Sequence, residues 1–282
     1  MSDPALHGVR LVVRYEGTAF AGFQEQPGQR TVQGVLQEAA ERIAGRAVKI
    51  RGASRTDAGV HAEGQVVAFD SARLLEPERW ALALNRYLPD DLAVRSAEAC
   101  AAGYAPRFDA VHKTYRYLLH VGPLRDPLTR TRAFHLGKQL RSRRHPLDQR
   151  LDVAAMRDAA ARLIGTHDFK AFRAADDERE RTVRTLHAFE VIEGFQGDPE
   201  LIALVVNGSA FMKNMVRILT GTLLEVGLGR MAPSAVSALL APEAERTAAG
   251  PTAPAHGLTL VSMVLGRATT SAAPAPASPP SP

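Results

Sequence analysis

The sequence predicts an α+β protein made of two ferredoxin-like halves, each running β-α-β-β-α-β. Three observations carry that prediction. Short β-rich runs alternate with segments of helical apolar spacing in that order before residue 107. The same order recurs after residue 107, with additions. The chain of 282 residues is 45% apolar and 23% charged, an ordinary globular profile that can bury a sizeable core. Such a fold sets helices on one face of an antiparallel sheet and leaves the other face for a partner.

The elements follow in order. VRLVVRYE (9–16) is the first strand, and a Gly-rich turn runs through Gly17, Phe20, Gly22 and Phe23. Thr31 is placed to cap a helix whose stripe is Val32, Val35, Leu36, Ala39, Ala40 and Ile43, and Gly45 stops it. VKIR and QVVAF are strands around the loop GASRTDAGVHAEG. Pro77 opens a second helix to Tyr87, and LPDDLAVRSAEA turns into another strand. The second half holds the strand TYRYLLHV (114–121) and a helix over 152–164. A strand pair follows at 182–193 and 200–209, then the helix FMKNMVRILTGTLLEVG, a short helix near 233–240 and the strand LTLVSMVL (258–265). Residues 122–150 carry eight Arg or Lys with little periodicity, and read as loop with one strand around AFHLG. Residues 267–282, RATTSAAPAPASPPSP, form an Ala/Pro/Ser tail with no means of making a core, and are expected to be disordered. The expected units are therefore residues 1–106, 107–266 and the tail.

Composition narrows the function. Cys100 is the single cysteine, which excludes a disulfide framework and a thiolate-rich metal site and fits a reducing cytoplasm. Nine scattered histidines include no H-E-x-x-H pair, so no metal site is expected. No apolar stretch is long enough to span a membrane, and MSDPALHGVR lacks a signal-peptide core. The formal charge of +5 points to a polyanionic partner. Only Lys49, Lys113, Lys138, Lys170 and Lys213 are lysines; the arginine preference fits phosphate binding and also coding bias.

Four groups stand out as candidates. Asp57 precedes Ala58 and Gly59, a common turn pattern, yet Arg55, Thr56 and His61 surround it with polar chemistry that a turn does not require. One carboxylate on a strand–loop–strand frame suits nucleophilic or general-base work. Arg217 on an otherwise apolar helix is either solvated or the partner that keeps a carboxylate ionised. Tyr115 and Tyr117 share one strand face, as core aromatics or as a stacking platform for a base. Arg173, Arg179, Arg181 and Arg184 form either a solvated loop, diluted by Asp176, Asp177, Glu178 and Glu180, or a phosphate contact.

At GASRTDAGVHAEGQVVAF the chain resembles the tRNA pseudouridine synthase A family, whose hallmark is an R-T-D-A-G-V-H stretch. The resemblance continues in order through VVRYEGTAFAGFQEQPGQRTVQGVLQEA, ALNRYLPDDLAV, FDAVHKTYRYLL, THDFKAFRA, TVRTL, MVRILTGTLLEVGLGR and APAHGLTL, covering about residues 9–265. It implies two ferredoxin-like halves with joined sheets and a basic RNA cleft on the face away from the helices. It implies conversion of uridine to pseudouridine at positions 38, 39 and 40 of the tRNA anticodon stem-loop, by a cytoplasmic homodimer using no cofactor or metal. Asp57 would be the essential aspartate, Arg217 its partner and Tyr115 the residue that packs on uracil. Arg55 would help displace the base, and Thr56, His61, Tyr115 and Arg184 are the further expected RNA contacts. Three roles suit the aspartate: attack on the sugar, addition to the base, or proton abstraction. Two departures stand against the family pattern: LGKQLRSRRHPLDQR (136–150) is longer and more basic, and the last strand ends VLGRA without an aromatic. A binding-only protein on the same fold would not need Asp57, Tyr115 and Arg217 together. A synthase for other RNA positions would carry the same loop. A metal-dependent nuclease would want clustered carboxylates or histidines.

Overall fold

The computed structural model describes residues 5–137 and 151–266. Most of the basic run at 136–150 and the whole Ala/Pro/Ser tail lie outside the described residues. Strand β1 (His7–Tyr15) leads through a short 3-10 turn to helix α1 (Val32–Ala44), then β2 (Arg51–Gly52), β3 (His61–Ser71), α2 (Pro77–Asn85) and β4 (Leu92–Cys100). A single helical turn, α3 (Pro106–Asp109), enters β5 (Ala110–His120), and β6 (Phe134–His135) follows. Next come α4 (Val153–Ala161), β7 (Gly165–Asp168), β8 (Val183–Glu193), β9 (Leu201–Gly208), α5 (Met215–Gly227), α6 (Ala235–Ala238) and β10 (Leu258–Leu265).

The local chemistry explains the elements. Thr31 caps α1 by accepting the Gly34 amide at 3.2 Å, and Gly45 ends it at φ 71°, where a side chain would be strained. Val9, Leu11, Val13 and Tyr15 alternate inward on β1 and are buried, as period-two spacing requires. Helix α5 starts four residues later than its apolar run, because Asn214 takes a left-handed φ of 59° before it. Its residues are buried almost all round, which matches a helix lodged inside the protein. Strand β2 is shorter than VKIR suggests, and β7 is a strand with no clear period in its residues.

The strands form one sheet in the order β4-β1-β3-β10-β5-β9-β8-β7, with β2 on β3 and β6 on β5. Each ferredoxin-like half contributes its own antiparallel ladder. They meet where β10 pairs with β3 in parallel, Thr259 opposite His61 and Leu260 opposite Ala62. Strands β2 and β10 therefore share one edge of β3, β2 at Ala68 and Val67 and β10 at its first two residues. One buried cluster runs from Val9 and Leu36 through Tyr115 to Leu219 and Leu260, so the core is continuous across the junction. A smaller cluster of Leu118, Ala133, Leu201 and Ala203 sits on the opposite face of the sheet.

Candidate active site

The site is built on the loop between β2 and β3. Asp57 opens a β-turn: the Val60 amide donates to the Asp57 carbonyl at 3.1 Å, and Gly59 at φ 79° supplies the positive φ. The loop is braced from several sides. Tyr15 Oη and Thr56 Oγ1 lie 2.8 Å apart, and Gln65 Nε2 donates to the Ser54 carbonyl at 2.8 Å. The Phe23 amide donates to the Thr56 carbonyl at 3.0 Å, and the Gly59 amide to the Phe20 carbonyl at 3.3 Å. A Cβ on Gly17 would stand 2.1 Å from the Val60 carbonyl oxygen, so only glycine allows the Gly17 turn to approach this closely.

Arg217, in the first turn of α5, reaches this loop. Its Nη1 lies 3.7 Å from Asp57 Oδ2. Arg217 is aimed by two shorter hydrogen bonds at 2.7 Å, from Nε to the Ala253 carbonyl and from Nη1 to Asn214 Oδ1. Both partners are neutral, so its charge is left to act on Asp57. The pair is partly enclosed, with side-chain exposures of 18% for Arg217 and 35% for Asp57. Burial pushes the Asp57 carboxyl above its ordinary range, and Arg217 and then Lys213 oppose that push without cancelling it. The expected pairing is therefore present, while desolvation outweighs it. A carboxylate held in this way is more basic than an ordinary surface aspartate.

Tyr115 forms the adjoining wall. It is 6% exposed, its ring meets Phe211 edge-on at 5.1 Å between centroids, and its hydroxyl lies 3.3 Å from Ser54 Oγ. Burial pushes its phenol up to about 12, so it stays protonated. Tyr117 on the same face is a structural residue, donating to the Pro254 carbonyl at 2.8 Å. Tyr115, Tyr117 and Leu119 belong to the same buried cluster as Met215 and Leu219 of α5. The constellation thus lies on the helix-bearing face of the sheet. The reason is register: Tyr115 shares its parity on β5 with the core residues.

The remaining candidates divide. Arg55 is exposed next to Asp57 and has no hydrogen-bond or ion-pair partner among the described residues. Thr56 and His61, both expected RNA contacts, are only 7% and 4% exposed and brace the loop. His61 Nδ1 accepts the Gly17 amide and its Nε2 donates to the His256 carbonyl, both at 2.9 Å, which fixes a neutral ring. Arg184 is half-buried on β8, away from the loop in sequence, with Nη1 donating to the Val183 carbonyl at 2.7 Å. Lys213, Ser54 and Gln65 also belong to the site, and residue type and spacing do not single them out. Only the fold brings Lys213 and Gln65 to the Asp57 loop. Among the described residues no group of three or more His, Cys, Asp or Glu is placed to hold a metal ion.

A carboxylate, an arginine and an aromatic wall meeting on an R-T-D-A-G loop are the arrangement to compare with known proteins. The family model described as tRNA pseudouridine synthase matches residues 11–109 and 159–264. The chain belongs to the tRNA pseudouridine synthase family. A tRNA pseudouridine synthase A of Myxococcus xanthus is 44% identical over 252 residues, covering 89% of each chain. The tRNA pseudouridine synthase A of Bacillus subtilis (strain 168) is 41% identical over 254 residues, 89% of this chain and 96% of that one. That of Geobacter sulfurreducens is 40% identical over 252 residues, 89% of this chain and 97% of that one. The activity of the family is an isomerisation of uridine within tRNA. Residues 110–158, between the two matched stretches, hold β5 with Tyr115 and the basic run. No helix among the described residues is long and apolar enough to cross a membrane.

Proposed function

We propose that the protein converts uridine to pseudouridine at positions 38, 39 and 40 of the tRNA anticodon stem-loop, with Asp57 as the essential residue. The observation that carries this reading is the Asp57–Arg217 pair at 3.7 Å on the R-T-D-A-G turn. The reaction breaks the N1–C1′ bond and forms C5–C1′; C5 loses its proton and N1 gains one. Nothing enters or leaves overall, so side chains alone suffice. The uridine must first leave the stack, which costs a few kcal/mol. Arg55, exposed and without a partner among the described residues, would hold the opened helix, and Tyr115 would pack on the uracil. Each role open to Asp57 requires its ionised form, which Arg217 favours. Tyr115 stays protonated and anchored through Ser54, so it serves as a neutral wall. The protein acts in the cytoplasm as a homodimer without a cofactor or metal.

The test is position-resolved pseudouridine mapping of tRNA transcripts incubated with the protein, chelator present. Modification confined to the anticodon arm is the expected result. Modification only at uridines elsewhere in the tRNA contradicts the assigned positions while keeping the isomerase.

A further inference from the structure

Lys113 stands two residues before Tyr115 on β5, so both side chains share one strand face, about 7 Å apart along it. Its ammonium donates to Ser54 Oγ at 3.2 Å, the same oxygen that lies 3.3 Å from the Tyr115 hydroxyl. A cation is thus fixed on the floor of the site beside the Asp57 loop. The described residues give it no carboxylate partner. Its neighbours are instead like charges: burial, then Arg107, then Arg179 lower its pKa.

Arg184 belongs to the same face. Lys113 pairs with Gly208 of β9, Gly208 pairs with Leu186 of β8, and Arg184 lies two residues from Leu186. Arg184 Nε is buried with no hydrogen-bond partner among the described residues. Burial and the charges of Arg179 and Arg181 press on it as well. The nearby acids already have partners, and Asp177 opposes the other charges at Arg184 without cancelling them. Asp176 pairs with Lys213 at 2.6 Å. Asp177 pairs with Arg179 at 3.2 Å and accepts the Lys213 amide at 3.1 Å, which docks the 173–181 loop against the entry to α5.

Cations drawn together in a partly desolvated place, with an unmet N–H, destabilise the protein unless an anion joins them. We infer that Lys113 and Arg184, on either side of the Asp177-paired Arg179, form a subsite for a backbone phosphate of the RNA, next to the uridine held at Tyr115. This rests on the reading of tRNA as substrate. A phosphodiester supplies one negative charge and several acceptor oxygens, and a nucleotide stacked on Tyr115 brings one within reach of the neighbouring strand position.

The experiment measures tRNA binding by the full chain over a series of potassium chloride concentrations, for wild type, Lys113→Gln and Lys113→Arg. Pseudouridine formation by wild type is followed on the same tRNA. For Lys113→Gln, the slope of log affinity against log salt is expected to fall by about one. The KM for tRNA should rise several-fold, more than kcat falls, and Lys113→Arg should recover the slope. Inorganic phosphate should compete with tRNA on wild type more strongly than on Lys113→Gln. If Lys113→Gln does not fold by circular dichroism, Arg184→Gln is expected to give the same loss of slope. An unchanged slope in a folded variant, with wild type active, overturns the subsite alone. A wild type that forms no pseudouridine overturns the functional reading, and with it the assignment of the subsite to RNA.

Discussion

At the scale of single residues, Asp57 and His61 show how burial sets chemistry. Burial raises Asp57, so its ionised form is a stability cost at neutral pH. The sign follows: the folded state holds the proton longer than the unfolded chain. Stability therefore falls as pH rises from the ordinary carboxylate range, about 3.9, through the raised value. Asp57→Asn is accordingly expected to unfold no lower than wild type at pH 7 while losing at least about 100-fold in kcat, read by thermal unfolding and turnover. Arg217→Met removes the leading charge that opposes burial, so the acid limb of its residual kcat/KM profile should move to higher pH. A limb that stays in place would show that Arg217 does not act on Asp57. His61 has the opposite sign, since burial lowers its pKa. The unfolded chain takes up the proton first, so stability is full above about pH 6.5 and falls below it toward the folded value. His61→Gln should flatten that fall in a series of melting temperatures against pH. The pairing of Asp57 with Arg217 was legible from residue type and motif. The burial of Thr56 and His61 was not, because polar type does not reveal burial, and the Ser54–Lys113 contact spans 59 positions in sequence.

At the scale of elements, the loop and α5 are precise because close backbone approaches hold them. A Cβ on Gly221 would stand 1.7 Å from the Pro251 carbonyl oxygen, and the Thr222 hydroxyl accepts the Gly250 amide at 2.9 Å. The 250–253 segment is thus pressed onto α5, and its Ala253 carbonyl then holds Arg217. Gly221→Ala should cost about 2 kcal/mol or more in a denaturant titration and should also lower activity, because the Arg217 anchor shifts. Helices were legible where caps and stripes agreed, as in α1 with Thr31 and Gly45. The start of α5 was not, because the left-handed Asn214 interrupts an apolar run that looks helical throughout. Strand β7 was not legible either: Gly165–Asp168 is four residues long and pairs only at the sheet edge, where alternation is not enforced.

At the scale of the whole molecule, the two halves share a sheet and a core. The parallel β3–β10 junction has only two residue pairs, but it begins at His61, directly after the Asp57 turn. The fold thereby clamps the loop of one half with the last strand of the other. Trp80, the single tryptophan, is buried against Phe69 in the first half. Its fluorescence and the far-ultraviolet circular dichroism of the whole chain are expected to report one coincident unfolding transition; two separate transitions would show the halves to be independent. The β-α-β-β-α-β order was legible because periodicity and turn residues are local. The face that carries Tyr115 was not, since it depends on strand register across the sheet. The most direct measurement is release of tritium from tRNA labelled at uridine C5, because the new C5–C1′ bond must displace that hydrogen. Wild type beside Asp57→Asn, each saturated with tRNA, is expected to give release from the first alone, with both proteins bound to the RNA. Equal release from the two would contradict a reaction driven by Asp57.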